Sequence, residues 1–422
     1  MTLNEADARA FDTGDALPTR RAEFFVPPYG EGEAAYFAGN SLGLQPRALR
    51  DFVGTELDDW ARLGVEGHLE ATRPWLGYHS LLRDSAARLV GGRPEEVVVM
   101  NSLTVNLHLM MVSFYRPTAD RWQILIEDTA FPSDSYAVRS QAAFHGYDPD
   151  TAVVRLRPRP GEAALRSDDI VAYLAEHGST VALVLLGGVN YYSGELLDIA
   201  AITRAAHEAG AIAGWDLAHA AGNVELRLHD WDVDWAAWCS YKYLNAGPGS
   251  LAGAFVHEQH VADPALPKLQ GWWSTQEATR FRMEPTVTPV ATADSWQLSN
   301  PPIFAMAPVL LSLQMFDEVG MPALRAKSRR LSSFLYDLFD DVLVGHAARV
   351  ITPRDTARRG SQLSVQLDDT DVGKLTARLR EEHGVYADAR QPDVIRFAPV
   401  PLYVTHHDCW RAASALAELL RG

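Results

Sequence analysis

An apolar run, Trp235-Ala-Ala-Trp-Cys239, passes directly into Ser240-Tyr241-Lys242-Tyr243-Leu244-Asn245 and then the turn Gly247-Pro248-Gly249. Lysine is rarely buried. One at the end of a buried run either surfaces at the rim of a sheet, its stem against apolar neighbours, or serves as an amine nucleophile or base. Spacing alone leaves both readings open. The preceding apolar run, Ala211-Ile-Ala-Gly-Trp-Asp216, ends in a carboxylate, so Asp216 and Lys242 can face one ligand from adjacent strand ends. A third feature is Asn101-Ser102-Leu103-Thr104, between the apolar Glu96–Met100 and the helical pattern Leu103, Leu107, Met110, Met111, Phe114. Such a strand-to-helix turn offers free N–H groups and the positive end of a dipole to a phosphate. A lysine for a Schiff base, a carboxylate for a pyridine nitrogen and a phosphate cradle are what pyridoxal phosphate requires. Each has an ordinary structural role by itself; together they compose a cofactor site.

Two neighbours join this constellation. Phe131, after the run Trp122–Ile126, is either a core aromatic or a ring that stacks on the cofactor. His219 stands three residues after Asp216. An Asp-x-x-His pair can also begin a metal site, but no further ligand cluster accompanies it, so a capping or cofactor-side histidine is expected and no metal.

These residues need a scaffold that aligns strand ends. Runs at 96–100, 122–126, 181–186, 211–216 and 235–239 alternate with helical patterns such as Asp198–Ala209, which Gly210 stops. Continuous apolar strands between helices predict an α/β fold, a mostly parallel sheet sandwiched by helices, with ligands at the carboxyl ends of the strands. Phe131-Pro-Ser-Asp134 reads as a turn. The rhythm then changes: Leu363–Leu367 alternates like a half-exposed strand, Val372–Glu382 is helical, short strands follow near Val385–Ala387 and Val394–Phe397, and Asp408–Leu420 closes as an amphipathic helix. The expected division is an N-terminal segment, 1–60, a large cofactor-binding domain, 61–315, and a small C-terminal α/β domain, 316–422. The first fifteen residues and Pro353–Gly360, rich in Arg, Thr and Asp, read as flexible.

Among 422 residues, 47% are hydrophobic and 22% charged, an ordinary globular balance. A net charge of −16 argues against nucleic acid and anionic membranes as partners. Two cysteines make neither a disulfide framework nor a metal motif. No apolar run is long enough to cross a bilayer, and the polar, acidic opening residues lack the features of a signal peptide. A cytoplasmic location is the resulting expectation.

The sequence as a whole resembles kynureninase. The motifs, in family order across some 360 residues, are Tyr36-Phe-Ala-Gly-Asn-Ser-Leu-Gly-Leu-Gln-Pro46, Gly67-His68 with Arg73-Pro74-Trp75, Leu103–His108, Phe131–Asp134, Asp216-Leu-Ala-His219, Cys239–Asn245, Gly271-Trp272, Ser299-Asn-Pro-Pro302 and Arg396–Tyr403. The resemblance implies a fold-type I pyridoxal-phosphate enzyme, a homodimer with active sites at the subunit interface, that cleaves kynurenine or 3-hydroxykynurenine hydrolytically to an anthranilate and alanine. It also implies roles. Lys242 is the Schiff-base lysine and Asp216 the pyridinium partner. Leu103, Thr104, Tyr241 and Trp272 hold the phosphate. Phe131 stacks over the ring, with Pro132, Ser133, Asp134 and His219 beside it. Asn300, from the neighbouring subunit, reaches phosphate and substrate, Arg396 binds the substrate α-carboxylate, and Ser41 and His68 line the pocket for the aromatic ring. Lys242 removes the Cα proton and Tyr241 relays protons in the later steps.

Three departures from the family pattern bear on the substrate: Ser274-Thr275 where Gly-His is common, Gly187 where Ser or Thr often precedes Gly188, and Ala293-Asp-Ser-Trp-Gln before Ser299. The alternatives are a hydrolase of another ring-substituted kynurenine in a biosynthetic pathway, or a different fold-type I enzyme such as a cysteine desulfurase. A desulfurase needs a nucleophilic cysteine on a mobile loop, whereas Cys239 falls in an expected strand and Cys409 at the start of a helix. A cofactor-binding regulator would carry a DNA-binding appendage, for which this acidic chain has no basic helix.

Overall fold

Seven apolar runs lie side by side in one sheet in the computed structural model, which describes residues 3–421. They are β1 (Val97–Met100), β2 (Gln123–Glu127), β3 (Val153–Leu156), β4 (Val181–Gly187), β5 (Ile212–Asp216), β6 (Trp235–Cys239) and β7 (Ala252–Val256), in spatial order β1-β7-β6-β5-β4-β2-β3. All neighbours are parallel except β7, antiparallel to both β1 and β6. Successive side chains enter opposite clusters: Val97 and Val99 in one, Val98 and Met100 in the other; Val184 and Leu186 in one, Leu183 and Leu185 in the other. That alternation puts apolar core on both faces, which is why the strands read as unbroken hydrophobic runs. The expected mostly parallel, helix-covered sheet is therefore present.

Strands β3 and β7 were not anticipated. Val153-Val-Arg-Leu156 is a half-buried edge strand, and Ala252-Gly-Ala-Phe-Val256 has little strand propensity. Gly253 is needed because a Cβ there would strike the Trp238 ring on the neighbouring strand. Phe131–Asp134 is also more than a turn, since it opens a helix, Pro132–Phe144, with proline in the first turn where its missing N–H costs nothing.

A second sheet, antiparallel, comprises β8 (Ala348–Val350), β9 (Leu363–Leu367), β10 (Asp388–Arg390) and β11 (Val394–Phe397) in the order β8-β9-β11-β10. The helix Val372–His383 stops at a left-handed Gly384, and His406–Arg421 closes the described chain. Among the described residues no single helix is long and apolar enough to cross a membrane.

Both segments read as flexible are instead built into the fold, apart from Met1 and Thr2, which lie outside the described residues. Glu5–Thr13 is a helix with a reciprocal Asn4–Asp7 cap. Asp12 accepts from the His406 and His407 N–H groups at 2.7 and 3.0 Å, so an acid that looked like part of a solvated tail caps the closing helix. Within 353–360, Asp355 caps a short 3-10 turn, and buried Arg359 donates to the Pro353 carbonyl (3.0 Å) and Ser333 Oγ (3.1 Å). The stretch after the first helix is likewise docked: Ala35–Tyr36 pairs in parallel with Val385–Tyr386, and Ala38 bridges to Ala398.

At the amino ends of the strands Asp234 accepts from His207 Nε2 (2.8 Å), His260 Nε2 (2.7 Å) and the Ala213 N–H (2.7 Å). The hydrogen bond to Asp234 raises the His207 imidazole above its ordinary 6.5. A raised folded-state value means this contribution to stability is fully present below pH 6.5 and is lost as pH rises through the raised value. In thermal melts from about pH 6 to about pH 9, His207→Ala is expected to flatten that part of the stability profile. An unchanged slope would show that the pair contributes nothing.

Candidate active site

The register of the parallel strands brings the chemistry together. Asp216 pairs with Gly187 of β4 and Ala237 of β6 at the carboxyl edge of the sheet, and Lys242 follows where β6 leaves it. Between them opens a cavity of about 320 Å³, within the range of small-molecule sites (roughly 300–1,000 Å³). Ser41, Leu103, Thr104, Phe131, Ser133, Asp134, Asp216, His219, Tyr241, Lys242 and Arg396, all singled out in the sequence, line it.

The lysine loop is held from the N-terminal segment. The Gly43 N–H donates to the Tyr241 carbonyl at 2.8 Å. A Cβ on Gly43 would fall 2.8 Å from Asn245 Cα and closer still to the Lys242 carbonyl. Gly43→Ala is therefore expected to cost about 1–3 kcal/mol and to displace the loop, read as a lower melting temperature and weakened cofactor retention. A variant with wild-type values of both would separate this contact from the site.

Lys242 Nζ lies 3.0 Å from His219 Nε2. Burial, and then the Lys242 cation, push the imidazole well below its ordinary range, so His219 is neutral and accepts from the ammonium. Asp216 accepts from the Ala218 N–H at 2.7 Å, and burial raises its carboxyl. Asp134 lies against it; burial and the Asp216 charge raise Asp134 well above its ordinary value, so of the pair Asp134 keeps a proton and Asp216 carries the charge. Phe131 is 43% exposed, which makes it a cavity wall rather than core, and its ring meets Tyr191 edge-on at 5.1 Å. Arg396 is wholly buried. Its Nη1 donates to the Tyr191 carbonyl at 2.7 Å, its Nη2 pairs with Asp388, and its Nε has no partner.

These groups fit pyridoxal phosphate. Ser102 caps the Leu103–Phe114 helix without a side-chain hydrogen bond, leaving first-turn N–H groups for a phosphate. His219 Nδ1 is buried with no partner, and a buried carboxylate stands ready for a pyridine nitrogen. When bound, pyridoxal phosphate supplies an aldehyde for the lysine and substrate amines and a ring that accepts an electron pair from Cα.

Four of the sequence-selected residues stand elsewhere. Pro132 is exposed at the start of its helix and does not line the cavity. His68 is exposed, its Nδ1 within 2.9 Å of the Val65 carbonyl. Trp272, expected to hold the phosphate, is 40% exposed and borders a separate small pocket with Arg280 and Met283. Asn300 is exposed on the loop before the Ile303–Val319 helix. Conversely, Asn40, Glu127, Tyr191 and Arg390 line the cavity without having been singled out. Glu127 ends β2 as Asp216 ends β5, and that shared position was the signal available.

Solved structures with this architecture include a cystine C–S lyase in complex with cysteine persulfide, at TM-score 0.78 and 18% identity, covering 91% of this chain and 97% of that one. Another is the cysteine desulfurase CsdA of Escherichia coli, at TM-score 0.75 and 17% identity, with both chains fully covered. Likeness at such low identity speaks to fold, and with the lysine and aspartate at its strand ends the fold is that of the fold-type I pyridoxal-phosphate enzymes, aminotransferase class V-like. Closer sequence relatives narrow the class. Residues 324–416 match the family described as "Kynureninase C-terminal domain". The chain is 65% identical to the kynureninase of Salinispora tropica over 420 residues, covering 99% of this chain and 97% of the relative. It is 54% identical to that of Myxococcus xanthus over 414 residues, covering 98% and 96%. The chain belongs to the kynureninase family.

Proposed function

We propose that this chain hydrolyses the Cβ–Cγ bond of L-kynurenine or 3-hydroxy-L-kynurenine, with pyridoxal phosphate, to release anthranilate or 3-hydroxyanthranilate and L-alanine in tryptophan catabolism. The observation that carries the reading is the convergence of Lys242, Asp216 and Arg396 on one cavity in a chain with 65% identity to a named kynureninase.

The residues divide the work by their environments. Leu103 and Thr104 would hold the phosphate at the helix N-terminus, and Asp216 would keep the pyridine nitrogen protonated. Arg396 receives the substrate carboxylate in a guanidinium already clamped on two sides. Lys242 takes the proton from Cα, with neutral His219 orienting its Nζ. Tyr241, whose phenol burial and Cys239 hold above its ordinary range, stays protonated and serves as a donor in the later steps. Water adds at Cγ, the Cβ–Cγ electron pair passes to Cβ, and protonation there completes alanine.

The cysteine desulfurase reading lacks its nucleophile. Cys239 is buried on β6 with Sγ 3.9 Å from the Ala218 carbonyl, Cys409 is wholly buried, and burial raises both thiols. Two free, buried thiols suit a reducing, cytoplasmic compartment. The homodimer is supported by His68, Trp272 and Asn300 standing exposed, as do the apolar side chains Trp60, Phe281 and Phe304, with Trp272 and Phe281 meeting edge-on at 6.0 Å. A partner's cavity would give them an occupation. The division into 1–60, 61–315 and 316–422 goes with this reading.

Incubation with kynurenine and with 3-hydroxykynurenine, followed by chromatography of the anthranilate and alanine, tests the function. His68 with Asn300 favours the 3-hydroxy form, whose hydroxyl offers a hydrogen-bonding handle. Absence of both products would reject the reaction, and a clear preference for plain kynurenine would reject that assignment of His68 and Asn300. Mixing inactive Lys242→Ala and Asn300→Ala proteins should restore activity if sites are shared between subunits.

A further inference from the structure

One carboxyl in the cavity wall takes no part in these steps. Glu127, at the end of β2, is 5% exposed, and its Oε2 accepts from Asn190 Nδ2 at 2.7 Å. The charged groups that raise it, Asp216 and Glu195, are both carboxylates. Burial above all, aided by Asp216 and Glu195, pushes it up to about 7. Gly187 makes room for it: a Cβ there would stand 3.1 Å from Glu127 Oε1. A buried carboxyl so placed is costly unless its hydrogen bonds do something in return.

What Glu127 holds is the key to a turn. With its amide nitrogen on Glu127, Asn190 points Oδ1 back into the chain, where it accepts from the Tyr192 N–H (2.9 Å), the Ser193 N–H (2.8 Å) and Ser193 Oγ (3.1 Å). Between these contacts the Tyr191 carbonyl is fixed, and it accepts from Arg396 Nη1 at 2.7 Å and Gln362 Nε2 at 3.0 Å. Arg396 comes from a different sheet, on β11, and meets the lysine side of the cavity across this turn.

We propose that Glu127 is a positioning residue for substrate binding: it pins Asn190, Asn190 closes the 190–193 turn, and the Tyr191 carbonyl of that turn sets the Arg396 guanidinium. The inference rests on Arg396 taking the substrate carboxylate. Glu127→Gln keeps an acceptor for Asn190, whereas Glu127→Ala and Asn190→Ser each cut the link, from opposite sides.

The test combines steady-state kinetics of the cofactor-loaded enzyme with amide hydrogen exchange at Tyr192 and Ser193, measured with and without added cofactor. Glu127→Ala and Asn190→Ser should each raise KM for the kynurenine substrate roughly tenfold, the effect of a modest misplacement of a binding group, while kcat stays within about threefold. Both should also speed exchange at the two amides. Glu127→Gln should restore KM and protection. A merely structural carboxyl would lower melting temperature without moving KM. Wild-type KM in the cut variants, a fall in kcat alone, or unchanged exchange at 192–193 each overturns the proposal. Wild-type protein inactive on both kynurenines overturns the function instead, and the exchange comparison then still decides whether Glu127 pins the turn.

Discussion

Lys242→Ala is expected to abolish turnover, by about 10⁴-fold or more, because the substitution removes the reacting amine and the base together. The rest of the cavity has no spare amine: the other cations in its lining are Arg390 and Arg396, both engaged with Asp388. The site itself should survive. The loop is held through backbone contacts, the Gly43 N–H on the Tyr241 carbonyl and the Asn245 N–H on the Lys242 carbonyl at 3.0 Å, which alanine leaves intact. The variant should therefore fold, bind pyridoxal phosphate reversibly, and lose the visible absorption band of the lysine-bound cofactor. Spectra before and after dialysis, with product chromatography, check this. Retention of more than about a hundredth of wild-type turnover would place the reacting amine elsewhere.

Asp216→Asn should lower kcat by about 10²–10³-fold, the scale on which a preorganised charge at a reacting centre acts. Asparagine has nearly the same shape, and its carbonyl oxygen can still accept the Ala218 N–H that Asp216 takes at 2.7 Å. What disappears is the negative charge that would keep a pyridine nitrogen protonated. The same change relieves Asp134, one cause of whose raised carboxyl is the Asp216 charge. Cofactor content, measured by release on denaturation, separates loss of chemistry from loss of binding. Unchanged kcat at full loading would mean that Asp216 does not face the pyridine nitrogen.

Lys242 and Asp216 were legible because strands buried on both faces leave unbroken apolar runs, and a charged residue at the end of such a run stands out. The helix Leu103–Phe114 was legible from its apolar residues at Leu103, Leu107, Met110, Met111 and Phe114, directly after the turn. Other features depend on information no single stretch carries. Ala252–Val256 is a strand because it fills the place between β6 and β1, with Gly253 leaving room for the Trp238 ring opposite it, and its antiparallel sense comes from the loop that returns it. Asp12 looks like one acid among several until its partner, the start of a helix some 390 residues later, is in view. Glu127 is a lone glutamate at a strand end, indistinguishable by type from a solvated rim charge, and only its burial against Asn190 sets it apart. Motif resemblance selected His68, Trp272 and Asn300, but in a single chain they face outward.

The pairing of Ala35–Tyr36 with Val385–Tyr386, and of Asp12 with the His406 end of the closing helix, bears on how the chain is made. A ribosome must add some 350 further residues before Tyr36 meets its strand partner. At the usual elongation rate that interval is roughly 20 to 70 s. Throughout it the loop that carries Gly43 has no small sheet to dock on, even once the Lys242 turn it clamps has been made, about 200 residues after Gly43. Assembly of the catalytic pocket is thus among the last events of biosynthesis, and a nascent chain halted between Lys242 and Arg396 would hold the lysine without the arginine.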